Sequence, residues 1–322
     1  MSAAPDLTHQ FQGYFDRLVA NISAAILGKE QVIRLALTCL LSEGHLLIED
    51  VPGNGKTQLA RALAKTIHGS SARIQFTPDL LPSDVTGVQL YDQARQSFEF
   101  KPGPIFHSIV LADEINRASP KTQAALLEVM EEGRVTVDGQ PYPVGKPFMV
   151  IATQNPIEHQ GTYPLPEAQL DRFLMKTSIG YPDLESTVSL LNSAEIRDRT
   201  DNVQPAVTSE AIVQFSRFAD SVTVRPEVSR YVAYIAEASR RHSAVALGLS
   251  IRGCLAFVRC AKTWAASKGR TYVQPDDIVA LALPIMEHRI ILTPDALIDG
   301  VTVEQVIKEI FYEIAPPQIR AA

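Results

Sequence analysis

The residues in this sequence best suited to chemistry form a glycine-containing turn that ends in Gly55, Lys56 and Thr57. An apolar run over residues 46–48 leads into the turn, and residues 58–64 have the composition of a helix. A strand, a turn and a helix in this order direct backbone N–H groups towards one anion. Lys56 would then contact the β- and γ-phosphates of a nucleotide, and the Thr57 hydroxyl would bind Mg²⁺.

The turn departs from the common phosphate-loop pattern at one position, where Asp50 stands in place of glycine. The glycines that remain still allow a phosphate to approach the backbone closely. We therefore expect the turn and the start of the helix to bind a nucleotide through Pro52, Gly53, Asn54, Gly55, Lys56, Thr57 and Gln58. The alternative is an ordinary strand, turn and helix with a chance Gly-Lys-Thr.

A second apolar strand, over residues 109–112, ends in two carboxylates, Asp113 and Glu114. In a parallel sheet the carboxyl ends of the strands meet at the edge where ligands bind. Asp113 is then expected to support Mg²⁺, and Glu114 to polarise a water for in-line attack on the γ-phosphate. The alternative is a solvent-exposed helix N-terminus, which acidic residues also favour.

Two further polar side chains follow predicted elements of the same region. Asn155 follows a buried strand at 148–153 and could orient the attacking water, although Asn before Pro is also a common turn residue. Arg172 stands at a helix end before the last predicted strand. It is expected either to pair with Asp171 or Glu167 on the surface or to reach the γ-phosphate held by a neighbouring subunit.

These residues must be positioned by strands that alternate with helices. Within that α/β arrangement we predict two hairpins, one at 88–101 and one at 134–143 with an Asp-Gly turn. Before the phosphate turn, two helical patterns meet at Gly28. Leu27 and Gly28 are candidate contacts for adenine, and packing of these helices on the sheet is the alternative.

The patterns predict two domains joined by a connector. Residues 1–182 are predicted to form the α/β nucleotide-binding core with its N-terminal helices, and residues 183–205 a connecting helix and linker. Residues 206–322 carry helical patterns only, so we expect an α-helical lid.

Composition limits the class of protein. The 322 residues are 46% hydrophobic and 20% charged, as in ordinary globular proteins of up to two domains. The net charge of -6 provides no overall basic field, so nucleic-acid binding is not expected. No membrane segment is expected from the short apolar runs, and the N-terminus lacks a signal-peptide pattern, so we expect a cytoplasmic protein.

Several apolar and sulfur-containing residues of the helical patterns are expected to be core residues. Cys39, Cys254 and Cys260 lack metal-ligand spacing and are predicted to be small core side chains in a reducing compartment. Trp264 and Leu255 are likewise expected in the core rather than on a stacking surface.

Four segments resemble motifs of the MoxR family of AAA+ ATPases in order and spacing. They are residues 49–57, 112–118, 152–156 and 165–173, which are similar to that family's Walker A, Walker B, sensor 1 and arginine-finger regions. Residues 248–253 are similar to its sensor 2 segment, with Ser250-Ile251-Arg252 where the family often has Ser-Pro-Arg. The resemblance spans nearly the whole chain.

The resemblance implies an AAA+ P-loop NTPase core, with a parallel sheet and inserted β-hairpins, followed by an all-α lid domain. It implies ATP and Mg²⁺ as ligands and a homo-oligomeric ring, most often of six subunits. It also implies that Arg252 reaches the nucleotide from the lid, an exposed arginine being the alternative. Members of the family are thought to act with partners that carry von Willebrand factor A domains, in metal insertion or complex maturation.

The resulting hypothesis is an ATP-hydrolysing, chaperone-like motor in which Glu114, Asn155, Arg172 and Arg252 act in catalysis. A second hypothesis is an ATP-gated protein-binding platform, in which hydrolysis is incidental. A third is a DNA-remodelling motor, against which stand the acidic net charge and the lack of a recognisable DNA-binding domain.

Overall fold

The computed structural model describes residues 4–50, 53–155, 162–193, 195 and 198–318. The strands of its first part are β1 (Leu46–Glu49), β2 (Ser71–Gln75), β3 (Gly87–Asp92), β4 (Ser97–Pro102), β5 (Ile109–Asp113), β6 (Arg134–Val137), β7 (Gln140–Pro143), β8 (Met149–Gln154) and β9 (Met175–Thr177). Five of them form a parallel sheet in the order β2-β5-β8-β1-β9. The predicted parallel α/β core is confirmed.

Helices surround the sheet and connect its strands. In the first part of the chain they are α1 (Ala4–Ser23), α2 (Glu30–Leu41), α3 (Lys56–Thr66), α4 (Pro82–Thr86), α5 (Pro120–Glu132), α6 (Glu167–Leu170) and α7 (Leu184–Asn192). The bounds of α5 are those that its pattern predicts, because its ends carry strong signals. Ser119 caps its first turn by accepting from the Thr122 N–H, and Gly133 ends it in a left-handed conformation.

Helices on both faces of the sheet explain the continuous apolar runs of its strands. All five residues of β5 are buried, and successive side chains enter two different apolar clusters. Ile109 and Leu111 pack into one cluster, and Val110 and Ala112 into the other. A strand buried on both faces is a continuous apolar run in the sequence. Its end can therefore be located at Asp113, the first charged residue after the run.

The two predicted hairpins are present as separate two-stranded antiparallel sheets. Strand β3 pairs with β4 from Gly87 opposite Pro102 to Asp92 opposite Ser97. Strand β6 pairs with β7 around the Asp138-Gly139 turn, where both residues have positive φ.

The lid contains α8 (Ser209–Asp220), α9 (Pro226–Arg241), α10 (Ile251–Ser267), α11 (Pro275–Ala280), α12 (Ala282–Met286), α13 (Pro294–Ile298), α14 (Val303–Glu313), and the short strands β10 (Val245–Leu247) and β11 (Ile291–Leu292). The helical lid is confirmed, but the expectation that it is all-α needs a correction, because β10 and β11 pair antiparallel. Strands of three and two residues are too short to produce a recognisable alternation.

Helix α1 joins the two parts of the chain. The ring of Phe11 lies 5.6 Å from that of Phe215 and 5.5 Å from that of Phe218, both on lid helix α8. One apolar cluster therefore runs from one face of the sheet into the lid. Among the helices that the structure describes, none is long and apolar enough to cross a membrane.

The cysteines and the lid residues that were predicted to lie in the core have different outcomes. Cys39, Cys260 and Trp264 are buried, and Cys254 is half-buried. Burial raises the pKa of the Cys260 thiol to about 12, so this group is an inert apolar side chain. The prediction is wrong for Leu255, which is 59% exposed on α10.

Candidate active site

A pocket of about 480 Å³ opens at the carboxyl edge of the sheet, beside the turn that follows β1. The turn and the start of α3 contribute Gly53, Asn54, Gly55, Lys56, Thr57 and Gln58 to its lining. Asp113 and Glu114 reach the same pocket from the end of β5. The structure thus brings the phosphate-loop residues and the two carboxylates together, whereas Pro52 lies outside the described residues.

The backbone of the turn leaves room for an anion. Gly53 and Gly55 have φ values of +92° and +83°, and a Cβ built on either would meet no atom of the described residues within 4 Å. Helix α3 starts at Lys56, directly after Gly55, which has no side chain to cap the first N–H groups. Those N–H groups and the helix dipole can therefore bind a phosphate.

Asp50, the departure from the common pattern, connects the turn to the segment after β9. Its buried carboxylate accepts hydrogen bonds from Asn54 Nδ2 at 2.7 Å, Ile179 N at 3.0 Å and Gly180 N at 2.7 Å. Lys56 Nζ donates to the Asp50 carbonyl oxygen at 3.0 Å. A glycine at this position would leave the two backbone N–H groups of 179 and 180 without this acceptor.

Replacing Asp50 with Ala is expected to lower the free energy of unfolding by roughly 2–4 kcal/mol, because two backbone donors lose a charged acceptor. Asp50→Asn keeps one carbonyl oxygen at the site and should lose less. Urea denaturation of both variants measures the difference. An Asp50→Ala protein as stable as the wild type would show that these hydrogen bonds do not hold the turn.

Asp113 is fixed by two neighbouring strands. Its Oδ1 accepts from Thr153 Oγ1 of β8 at 2.6 Å, and its Oδ2 accepts from Arg73 Nη2 of β2 at 2.6 Å. Together with the Thr57 hydroxyl it offers the hard oxygen ligands that Mg²⁺ prefers. In the described part of the chain no group of three or more His, Cys, Asp and Glu could hold a metal ion. Two oxygen donors, Thr57 and Asp113, would fit a Mg²⁺ ion that takes its remaining ligands from nucleotide and water.

Glu114 has a left-handed backbone conformation with φ 57° and ψ 51°, which is uncommon for a residue with a side chain. Its N–H donates to Thr153 Oγ1 at 2.8 Å. Its Oε2 accepts from Gln75 Nε2 and from Arg117 Nη1, each at 3.0 Å. Gln75 and Arg117 therefore orient this carboxylate at the edge of the pocket, and Thr153 fixes its backbone.

Asn155 follows β8, the strand that lies between β1 and β5, and it is buried. It therefore stands at the carboxyl edge between the phosphate turn and Asp113, although it does not line the pocket itself. Its role in orienting water stays a prediction.

The other end of the pocket is apolar. It is lined by Ala25, Ile26, Leu27, Ile179, Pro182 and Leu190. Such walls suit the flat faces of a purine base. Gly28 does not line the pocket, and its contact with adenine stays a prediction; a Cβ there would lie 2.4 Å from Ser186 Oγ. It allows the chain before α2 to pack closely against α7.

Arg172 and Arg252 lie together in another pocket, of about 470 Å³. Arg172 Nη2 lies 3.1 Å from a carboxylate oxygen of Glu131, and Arg252 pairs with the same carboxylate. Arg172 therefore does not form the ion pairs with Asp171 or Glu167 that the sequence left open.

Arg252 lines the pocket of Arg172 and not the phosphate pocket, and its contact with the nucleotide stays a prediction. Ser250, at the start of α10, donates to Asp171 Oδ2 at 2.8 Å, and Arg289 Nε donates to Asp171 Oδ1 at 2.6 Å. These contacts hold the first turn of α10 beside the loop of Arg172. The long-range contact of 171 with 250 and 289 could not be read from sequence spacing.

Several residues of the site were not anticipated from the sequence. Arg73, Gln75 and Thr153 orient Asp113 and Glu114 from adjacent strands. The only sequence signal was that Arg73 and Gln75 occupy alternate positions of a predicted strand. Their role depends on the register that sets Gln75 opposite Asp113, which a single sequence does not reveal.

His45, on the wall of the arginine pocket, is a buried neutral histidine. Its Nδ1 accepts from the Val150 N–H at 2.9 Å, and its Nε2 lies 3.0 Å from the Met130 carbonyl oxygen. Burial lowers the pKa of this imidazole to about 4, from an ordinary value of 6.5. Between about pH 4 and pH 6.5 the unfolded chain therefore binds a proton at His45 more readily than the folded chain does.

Acidification is expected to destabilise the protein through His45. The stabilising contribution is complete above pH 6.5 and is lost as the pH falls towards 4. Between about pH 7.5 and about pH 5 the free energy of unfolding should fall by roughly 2 kcal/mol from this residue alone. Urea unfolding at both pH values measures the loss. His45→Asn, which keeps an acceptor for Val150, should show a smaller loss, and an equal loss would exclude His45 as the cause.

Known proteins are similar to this chain along most of its length. The family described as "ATPase family associated with various cellular activities (AAA)" matches residues 45–175, and "AAA lid domain" matches residues 237–310. The chain is 46% identical to the uncharacterized protein YeaC of Bacillus subtilis over 95% of its own length and 96% of that protein. It is 38% identical to the chaperone MoxR1 of Mycobacterium tuberculosis, over 95% and 83% of the two lengths.

A solved structure agrees with the whole fold. A crystal structure of a Cytophaga hutchinsonii protein superposes with a TM-score of 0.91 and 36% sequence identity, covering 98% of each chain. The agreement extends over both the sheet and the lid. The arrangement of sheet and lid within one chain is thus found in an experimental structure.

Proposed function

Because the chain belongs to the MoxR family of AAA+ ATPases, we propose that it binds ATP with Mg²⁺ and hydrolyses it at a site shared by two copies. The observation that carries the proposal is the division of charged groups between two pockets. Lys56, Thr57, Asp113 and Glu114 line one, and the guanidinium groups of Arg172 and its neighbours line the other. Arg73 also lines the phosphate pocket, but its guanidinium is paired with Asp113 at 2.6 Å, so an arginine for the γ-phosphate has to come from another surface.

In this proposal the turn after β1 and the first N–H groups of α3 bind the phosphates, and Lys56 contacts the β- and γ-phosphates. Thr57 and Asp113 hold Mg²⁺, which supplies positive charge against the phosphate oxygens. Glu114 accepts a proton from water as its oxygen attacks the γ-phosphorus in line with the bond to ADP. Asn155 orients that water from the end of β8.

The second copy completes the charge balance. Arg172 of that copy, and Arg252 beside it, neutralise the negative charge that develops on the γ-phosphate oxygens and on the leaving ADP. Each copy therefore offers its phosphate pocket to one neighbour and its arginine pocket to the other. Such a contact joins two different surfaces, and it forms a closed ring when the rotation between neighbouring copies adds up to a full turn. We propose a ring of six subunits.

Lys56→Ala tests nucleotide binding by the proposed site. Losing a charged contact with phosphate is expected to weaken ATP binding about tenfold to a hundredfold. Fluorescence titration with a labelled ATP analogue measures affinity, and phosphate release with Mg²⁺ or with EDTA measures hydrolysis by the full chain. Wild-type protein that neither binds the analogue nor releases phosphate with Mg²⁺ would refute the proposal.

The biological output that we propose is chaperone-like remodelling of a partner protein in the cytoplasm, where ATP is available. Support comes from the relative named as a chaperone, at 38% identity. The finer proposal is maturation of, or metal insertion into, a complex containing a von Willebrand factor A domain, as the family resemblance implies. The test compares capture of a purified von Willebrand factor A protein from the same genome by the chain bound to ATPγS and by the chain bound to ADP. Equal capture in both states, or none, would refute this part.

A further inference from the structure

Helix α7 directs three of its four apolar side chains away from the rest of the chain. Leu184, Val188 and Leu191 follow one helix face and are 75%, 43% and 70% exposed. The opposite face, which includes Ser186 and Leu190, is half-buried. No residue of this fully described helix is buried. The usual amphipathic arrangement of a surface helix is therefore reversed.

This outward stripe, defined by Leu184, Val188 and Leu191, needs a covering surface. A helix of nine residues is marginal in water by itself, and most helical stability comes from packing of an apolar face. A contiguous exposed apolar face on a folded chain commonly marks an interaction site.

The position of α7 limits what can cover the stripe. Pro182, just before the helix, and Leu190, on its inward face, form part of the wall of the phosphate pocket. Whatever approaches the open side of that pocket must therefore pass close to α7. Under the proposed function, the approaching body is the arginine pocket of a second copy.

The first turns of α10 carry a matching apolar pair beside that arginine pocket. Ile251 and Leu255 lie one helical turn apart and are 67% and 59% exposed. They flank Arg252, and Leu255 lines the same pocket as Arg172. A copy that presents Arg172 to a neighbour therefore also presents this pair.

The charges of the two helices are complementary. Asp183 and Glu185 stand at the start of α7, which contains no lysine or arginine. Helix α10 carries Arg252 and Arg259, which line the arginine pocket with Leu255, and it contains no aspartate or glutamate. Opposite charges around two apolar patches favour one docking direction and accelerate encounter.

We propose that a second copy of this chain covers the outward stripe of α7, with its Ile251 and Leu255 packed against Leu184, Val188 and Leu191. The inference rests on the proposed function, because that function makes the arginine pocket of one copy meet the phosphate pocket of another. The apolar contact holds the two copies together, and the guanidinium groups beside it act on the nucleotide.

Sedimentation velocity of the full chain with Mg²⁺ and ATPγS tests the contact. Leu191→Ser and Ile251→Ser should each weaken assembly about tenfold, because each removes an apolar side chain from the centre of the contact. Ile298→Ser is the matched control, because Ile298 is 84% exposed on α13 of the lid. This control should assemble like the wild type. Circular dichroism should show all three variants folded, since the altered side chains are exposed.

The double variant separates a direct contact from two independent effects. If Leu191 and Ile251 of adjacent copies touch, the double variant should lose much less than the product of the two single losses. Losses of assembly that multiply in the double variant overturn the inference, and so do single variants that assemble like the wild type. In either case ATP hydrolysis by the wild type would still support the proposed function. Wild-type protein that binds ATPγS but stays monomeric overturns both.

Discussion

Glu114→Gln is expected to lower ATP turnover by about 10²–10⁴-fold, the usual contribution of a positioned general base. The amide cannot accept the proton of the attacking water at neutral pH. ATP binding should be nearly unchanged, because the phosphates are bound by the turn and by Lys56 rather than by residue 114. Phosphate release measures turnover, and titration with a labelled ATP analogue measures affinity in the same preparation.

The surroundings of Glu114 make this substitution a clean one. Gln75 and Arg117 both donate to the same carboxylate oxygen, Oε2, which the amide oxygen of glutamine can replace. The backbone hydrogen bond from residue 114 to Thr153 does not depend on the side chain. Stability and the left-handed backbone conformation should therefore persist, so a loss of turnover would report chemistry rather than unfolding.

Glu128→Gln provides the matched control, because Glu128 is an exposed carboxylate on α5. It should hydrolyse ATP at the wild-type rate. If Glu114→Gln also kept the wild-type rate, Glu114 would be removed from the mechanism, and another base would have to be found among the groups that line the phosphate pocket.

The sequence predicted those parts of the site that depend on residues close to one another along the chain. Buried strands in a parallel sheet are continuous apolar runs, so the ends of β1, β5 and β8 could be located from composition alone. The polar residues directly after these runs then had to meet at one edge of the sheet. The helix from Pro120 to Glu132 was predictable for a similar reason, since Ser119 and Gly133 mark its ends.

The parts that were missed depend on contacts between distant segments. Asp50 looked like a departure from a motif, and only the fold reveals that its carboxylate binds the backbone at residues 179 and 180. The position of Arg252 depends on the contact of Ser250 with Asp171, far away in the sequence. Leu255 was assigned to the core because apolar residues of a helix usually face inward, whereas the folded chain leaves it exposed on α10.

Arg172→Ala is expected to lower turnover by about 10³–10⁵-fold, the range found when an arginine supplied by a neighbour is removed. ATP affinity should change far less, because Arg172 does not line the phosphate pocket of its own chain. Arg134→Ala is the matched control, since Arg134 is an exposed arginine just after the end of α5. Arg172→Lys should recover only part of the rate, because lysine lacks the planar fork of donors.

Mixing variants distinguishes an arginine that acts in a neighbour from one that acts in its own chain. Glu114→Gln protein has an inactive phosphate pocket and an intact Arg172, and Arg172→Ala protein has the reverse. In randomly mixed rings with equal amounts of both, about a quarter of the contacts pair an intact pocket with an intact arginine. Turnover should therefore recover to roughly a quarter of the wild-type rate, although each protein alone is inactive. A mixture as inactive as its components would mean that Arg172 does not complete a neighbour's site. An arginine that acts only in its own chain cannot rescue a pocket in another subunit.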